Sequence, residues 1–142
     1  MSDRVITALH DVHTANNDVL KGYREMSKRA EPEITGVIGR LTALHQRHAN
    51  ELAAELMRMR ETTKDDTSLQ GTLNKAVVIV RDRVSDLDRD VLPNVRSGEE
   101  SLRDEYYKAL RDVEVAANPM VSAMLNVHIE AITAEVSKLP KD

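Results

Sequence analysis

Four polar residues stand where an amphipathic helix would otherwise place apolar side chains. They are Asn16, His48, Glu99 and His128. Each lies near the middle of a different predicted helix, on a stripe of apolar residues spaced three or four apart. Because a buried charge is costly unless it is paired or bound to a metal, we expect these side chains to meet in one interior.

Imidazole and carboxylate groups in such a place could bind metal ions. Di-metal sites in four-helix bundles use one Glu from each of two helices and a Glu-x-x-His pair from each of the other two. Here Asn16 takes the place of one lone carboxylate, and no Glu-x-x-His occurs in the chain. Since bridging carboxylates hold the two metals together, an oxygen-activating di-iron centre is not expected.

A single metal ion is compatible with the same residues. The candidate ligands are His48, Glu99 and His128, with His45 or a water molecule as the fourth, and this set would suit iron or zinc. The alternative is a hydrogen-bonded polar layer that fixes the register of the helices. The sequence favours the polar layer, and His45, at the edge of the stripe, also fits a partly exposed histidine.

The composition excludes several classes of function. The 142 residues contain no Cys, which excludes disulfides, thiolate catalysis and Cys-bound metals. The 20 basic residues are spread among 24 acidic ones, for a net charge of −4, so nucleic-acid binding is not expected. The amino-terminal residues lack the apolar stretch of a signal peptide, and the apolar run 76–80 is too short for a membrane span. We expect a cytoplasmic protein.

The elements that position these residues are predicted to be helices in a single domain, 1–142. The helices are expected at about 2–30, 32–60, 69–84, 89–115 and 119–138. Pro32 and Pro119 suit first turns, where a missing N–H costs little. Gly36 and Gly39 fall inside the second helix, where glycine usually permits close helix contact or a local bulge.

The lengths of these helices favour one topology. The first, second and fourth could each reach roughly 40 Å at about 1.5 Å per residue, and the third is shorter. A short third helix that returns the chain from one end to the other gives the connectivity of a ferritin-like bundle. The predicted fold class is therefore all-α, a ferritin-like antiparallel four-helix bundle with a shorter crossover helix. A five-helix up-and-down bundle is the competing topology.

Three short motifs resemble those of a known family. They are Leu20-Lys-Gly-Tyr-Arg-Glu25, the segment Ser68-Leu-Gln-Gly, and Ser97-Gly-Glu-Glu followed by Tyr107-Lys-Ala-Leu110. In these the chain is similar to an uncharacterised family of bacterial ferritin-like four-helix-bundle proteins, small cytoplasmic chains sometimes linked to stress responses. The resemblance implies the ferritin-like fold with a crossover, and it implies no activity, substrate or metal.

Two functions follow from the sequence. The first is a non-catalytic, or weakly metal-binding, bundle that acts as an interaction or stress-associated protein. The second is a metalloprotein that uses His48, Glu99 and His128 for oxidoreductase or metal-handling chemistry. Self-association is expected through an exposed apolar stripe on the third predicted helix or through other exposed Val and Met side chains, and a dimer would satisfy it.

Overall fold

The computed structural model describes residues 3–59 and 87–141, and these residues are almost entirely helical. The helices are α1 (Asp3–Ser27), α2 (Pro32–Arg58), α3 (Leu92–Leu110), α4 (Val113–Ala117) and α5 (Pro119–Val136), with a 3₁₀ turn at Arg89–Val91 before α3. The all-α fold expected from the sequence is confirmed. The helix predicted at 69–84 lies outside the described residues.

Two predicted helix boundaries are corrected by local hydrogen bonding. The first helix ends at Ser27 rather than near Ala30, because Ala30 pairs with Leu87 in an isolated parallel bridge. The helix predicted at 89–115 is interrupted after Leu110. Asp112 has an extended backbone, and its carboxylate accepts hydrogen bonds from the backbone N–H groups of Glu114 and Val115, so it caps α4 as a separate turn.

Paired contacts establish how the four long helices run. Tyr23 of α1 contacts Glu99 of α3. Asn16, seven residues before Tyr23, contacts Tyr106, seven residues after Glu99, so α1 and α3 are antiparallel. The same reasoning makes α2 antiparallel to α5 and α3 antiparallel to α5. Helix α1 packs along α2 and α3, which leaves α1 and α5 diagonally opposite.

Helices α2 and α3 begin at the same end of the bundle. The backbone N–H of Glu31 donates to the carbonyl of Leu87 (2.8 Å), and the N–H of Arg89 donates to the carboxylate of Glu33 (3.1 Å). These two helices are therefore parallel, and Met59 and Leu87 lie at opposite ends. Residues 60–86, which join these two ends, lie outside the described residues, so the crossover connection of a ferritin-like bundle stays a prediction.

The interior is filled by Leu, Val and Ile with two tyrosines. Tyr23 and Tyr106 are the largest fully buried side chains, and Leu9, Leu41, Leu52 and Val95 are completely buried beside them. Each such aliphatic side chain contributes about 1.5–3 kcal/mol through burial. By contrast, a Cβ at Gly36 or Gly39 would meet nothing within 4 Å, so the expected close helix contact at these glycines is wrong.

Candidate functional site: a buried polar layer

All four inward polar residues predicted from the sequence are buried. Asn16 and Glu99 have no exposed surface, and His48 and His128 are each 1% exposed. They come from α1, α3, α2 and α5 respectively, so every long helix contributes one. The layer that the helical spacing predicted therefore exists.

His45 is fully buried, which corrects the expectation of a partly exposed histidine. Its Nε2 lies 2.7 Å from Oε2 and 2.9 Å from Oε1 of Glu99. Leu44, its neighbour in the sequence, is only half-buried. Helix α2 is thus rotated so that the imidazole, and not the neighbouring leucine, faces the carboxylate on α3.

A first group of polar contacts, the Glu99 cluster, consists of Tyr23, His45 and Glu99. The Tyr23 hydroxyl donates to Oε2 of Glu99 at 2.6 Å, and the Nε2–H of His45 donates to the same carboxylate. All three residues are fully buried. The cluster joins α1, α2 and α3. Burial, followed by the nearby Glu99 charge, raises the pKa of Tyr23 well above its usual range, so Tyr23 stays a phenol.

A second group, the His128 chain, runs from the interior to the surface. Asn16 Nδ2 donates to the Tyr106 hydroxyl (3.0 Å), which lies 2.8 Å from Nδ1 of His128. Nε2 of the same ring lies 3.0 Å from Oε1 of Glu51. Tyr106 accepts a hydrogen bond from Asn16 and can donate one to Nδ1 of His128. The Nε2–H of His128 can then donate to the half-exposed Glu51 carboxylate, so all the hydrogen bonds of the chain can run in one direction.

His48 lies between the two groups. Its ring stacks on that of His128, with centroids 3.8 Å apart and planes 13° from parallel, and meets His45 edge-on at 5.9 Å. Burial, together with His128, His45 and Arg47, lowers the pKa of His48 to about 3. Burial also lowers the pKa of His128, although Glu51 acts in the opposite direction. The stacked imidazoles are therefore neutral at pH 7, the form that binds metals.

Three side chains of the layer could hold a metal ion. One ligand atom from each of His48, Glu51 and His128 lies within 4.8 Å of the others. The structure therefore brings together two of the predicted ligands, His48 and His128, whereas Glu99 and His45 bond to each other in the Glu99 cluster. The sequence did not point to Glu51, because the motif of four-helix di-metal sites is Glu-x-x-His. The chain has the reverse order, His48-x-x-Glu51.

Three buried polar atoms of the layer have no hydrogen-bond partner among the described residues. They are Oδ1 of Asn16 and the Nδ1 atoms of His45 and His48. An unsatisfied buried polar atom typically costs about 1–3 kcal/mol. The layer is therefore not fully closed on itself, and its unpaired atoms belong to one side chain of α1 and two side chains of α2.

Comparisons with known proteins define the family and the fold. Residues 4–112 match the family described as Domain of unknown function (DUF2383). The chain is also similar to a solved structure titled as a conserved hypothetical protein, rv2844, from Mycobacterium tuberculosis. That match has a TM-score of 0.72 at 12% identity and covers 97% of this chain and 96% of the other.

At such low identity the structural match shows a shared helical fold and nothing about activity. Comparison with curated proteins gives no significant match. Among the described residues, no helix is both long and apolar enough to cross a membrane. Since the family match spans most of the sequence, the chain belongs to the DUF2383 family.

Proposed function

We propose that this protein is a non-catalytic, ferritin-like bacterial bundle protein that works in the cytoplasm as an interaction or stress-associated protein. Its buried polar layer serves to hold the helices in register. The observation that supports this role is the Glu99 cluster, in which Tyr23 and His45 both donate to one fully buried carboxylate. The three side chains hydrogen-bond to one another, and none of them has exposed surface that a substrate could contact.

Register follows from the directionality of these contacts. Sliding one helix by a single residue moves its side chains by about 1.5 Å and turns them by about 100°. Such a slip would separate Tyr23 from Glu99 and Asn16 from Tyr106, leaving buried polar groups without partners. An apolar core alone would tolerate the slip better, so the polar layer selects one alignment of α1, α2 and α3.

The proposal is tested by removing the cluster in part and then as a whole. Glu99→Leu leaves Tyr23 and His45 buried without an acceptor, and we expect a loss of about 3–5 kcal/mol in the free energy of unfolding. The triple variant Tyr23→Phe, His45→Leu, Glu99→Leu removes all three polar groups and should recover most of that loss. Urea unfolding followed by circular dichroism measures both.

The triple variant also separates the two possible roles of the cluster. If the layer sets register, the triple variant should be stable yet show broadened amide resonances in an NMR spectrum, because alternative alignments become populated. Sharp, wild-type-like resonances in that variant would contradict the register role. The same variant retains His48, Glu51 and His128, so the rest of the layer is the internal control.

A metal-binding protein with a possible oxidoreductase or metal-handling role is the second candidate. It is supported by the contact between the neutral His48 and His128 rings inside the bundle. Iron or zinc would be held by ligands drawn from His48, Glu99, His128 and His45. Elemental analysis of tag-free protein tests it: near-stoichiometric metal in the wild type, lost in His48→Ala and in His128→Ala, would favour this candidate.

Self-association is part of the proposed interaction role. Met120 and Val127 of α5 are 59% and 61% exposed and lie two helical turns apart, on one face. No charged residue occurs between positions 119 and 129. An uncharged, apolar outer face of this kind is suited to packing against a second copy of the chain.

A further inference from the structure

We propose that His48, Glu51 and His128 form a mononuclear site for a divalent transition-metal ion at the edge of the bundle, open to solvent through Glu51. The site refines the second candidate function, because it replaces Glu99 and His45 with a carboxylate that the sequence did not single out. The ligand set is two imidazoles and one carboxylate, which zinc and ferrous iron both accept.

The positions of the ligand atoms support this set. One atom of each residue lies within 4.8 Å of the other two, and Nε2 of His128 is already 3.0 Å from Oε1 of Glu51. Bonds of roughly 2.0–2.2 Å in a tetrahedral site place ligand atoms roughly 3.3–3.5 Å apart. Because the His48 and His128 rings stack 13° from parallel, their in-plane lone pairs do not converge on one point, so binding requires one of the two rings to turn.

The backbone places the ligands on two adjacent antiparallel helices. His48 and Glu51 are three residues apart on α2, so they share one face of that helix. His128 comes from α5, which packs beside it with its Nε2 toward Glu51. With two protein elements supplying three ligands, the remaining coordination positions are left for water or for a small molecule.

Neighbouring residues orient one of the ligands. The Tyr106 hydroxyl contacts Nδ1 of His128, and Asn16 holds that hydroxyl in place. With an ion on Nε2, the ring proton lies on Nδ1, and Nδ1–H then donates to the Tyr106 hydroxyl, which reverses the direction of this hydrogen bond relative to the metal-free layer. A histidine ligand in a metal site usually donates its second ring N–H in this way, which sets the ring orientation. Tyr106 and Asn16 are thus positioning residues, and neither contacts the ion.

His48 has an unused coordinating atom. Its Nδ1 is buried without a hydrogen-bond partner among the described residues, although the ring is only 1% exposed. A metal ion gives this imidazole a role that the hydrogen bonds of the layer do not supply. In the Glu99 cluster, by contrast, Nε2 of His45 is already held by the carboxylate of Glu99.

Access and charge favour the edge over the centre of the bundle. The Glu51 side chain is 49% exposed, whereas that of Glu99 has no exposed surface. An ion can therefore reach Glu51 from solvent without opening the core. Arg47 acts on both rings as a neighbouring positive charge, which opposes cation binding and limits the affinity of a site with only one carboxylate.

The test is zinc binding to tag-free, full-length protein, measured by isothermal titration calorimetry. We expect one ion per chain in the wild type. Glu51→Gln should raise the dissociation constant at least tenfold, because an amide is a much weaker zinc ligand than a carboxylate. Glu51 is exposed, so this variant keeps the core intact, as a thermal unfolding curve would verify. Cobalt absorption spectra of the same variants report the ligand geometry independently.

Two matched substitutions make the result decisive. Glu55 lies one turn further along α2, and its carboxylate accepts hydrogen bonds from Arg58. Glu55→Gln should therefore leave zinc affinity unchanged. Glu99→Gln should also leave it unchanged if the site is at the edge. Loss of zinc in Glu99→Gln with retention in Glu51→Gln would overturn this site but keep the second candidate function. No zinc binding by the wild type would overturn both.

Discussion

Tyr106 and Tyr107 are adjacent in the sequence but meet opposite environments. Tyr106 is fully buried and its hydroxyl lies between Asn16 and His128, whereas Tyr107 is 42% exposed. Burial raises the pKa of Tyr106, so its hydroxyl keeps its proton for hydrogen bonding at any ordinary pH. Two neighbouring tyrosines therefore differ completely: the first belongs to the polar layer and the second to the surface.

This pair gives a matched test of the His128 chain. Tyr106→Phe removes the hydroxyl and leaves Asn16 Nδ2 and His128 Nδ1 without their shared partner, so we expect a loss of about 1–3 kcal/mol in the free energy of unfolding. Tyr107→Phe should change it by less than about 0.5 kcal/mol. Equal effects in urea unfolding would show that the buried hydroxyl does not stabilise the layer.

At the same residue scale, the sequence could locate part of the layer and not the rest. Burial follows the helical repeat, so the stripe positions of Asn16, Glu99 and His128 identified them as inward. Glu51 could not be identified in this way, because it looks like any solvated glutamate on the outer part of a helix. Its relation to His128 depends on how α2 and α5 pack, which a single-helix pattern does not contain.

At the scale of the element, helix α2 shows what periodicity leaves undetermined. Leu44 and His45 both fall within the width of an amphipathic stripe, and a small rotation about the helix axis exchanges them. The choice is made by Glu99 on a different helix, since its carboxylate needs the His45 N–H as a donor. Pro32 fixes the start of α2 and could be recognised in the sequence, whereas the cap at Asp112 that divides α3 from α4 was not predicted.

Helix α2 also contains two glycines that nothing in the described packing requires. Gly39 is exposed in the middle of Pro32–Arg58, and an added Cβ would meet nothing within 4 Å. Gly39→Ala should therefore stabilise the protein by about 0.5–1 kcal/mol, because alanine loses less backbone entropy on forming a helix. The reverse substitution, Ala43→Gly, one turn along and also exposed, should destabilise it by a similar amount.

Thermal unfolding of the two variants side by side measures this difference. Alanine at position 39 should raise the melting temperature, and glycine at position 43 should lower it. A lowered melting temperature for Gly39→Ala would mean that the glycine is required for packing after all.

At the scale of the whole molecule, the parallel start of α2 and α3 divides the bundle into two antiparallel hairpins. The polar layer crosses the boundary between them, since Glu99 joins α3 to α1 and α2, and Glu51 joins α2 to α5. The hairpins are therefore held together by directional contacts as well as by apolar packing. Both topologies expected from the sequence, the crossover and the five-helix up-and-down bundle, make the second and fourth predicted helices parallel, so the parallel start of α2 and α3 agrees with each of them.

The outer surface of this assembly differs between opposite sides. Along α5, diagonally opposite α1, the exposed Met120 and Val127 lie in a stretch without charged residues, whereas the outer face of α1 is polar.

We therefore expect a dimer through α5, and Val127→Glu should raise the dissociation constant of this dimer at least tenfold by placing a charge in an apolar contact. Thr7→Glu, exposed on α1, is the control and should leave it unchanged. Light scattering coupled to size-exclusion chromatography over a range of concentrations measures both. A monomeric wild type, or a dimer that survives Val127→Glu and dissociates in Thr7→Glu, would contradict this interface.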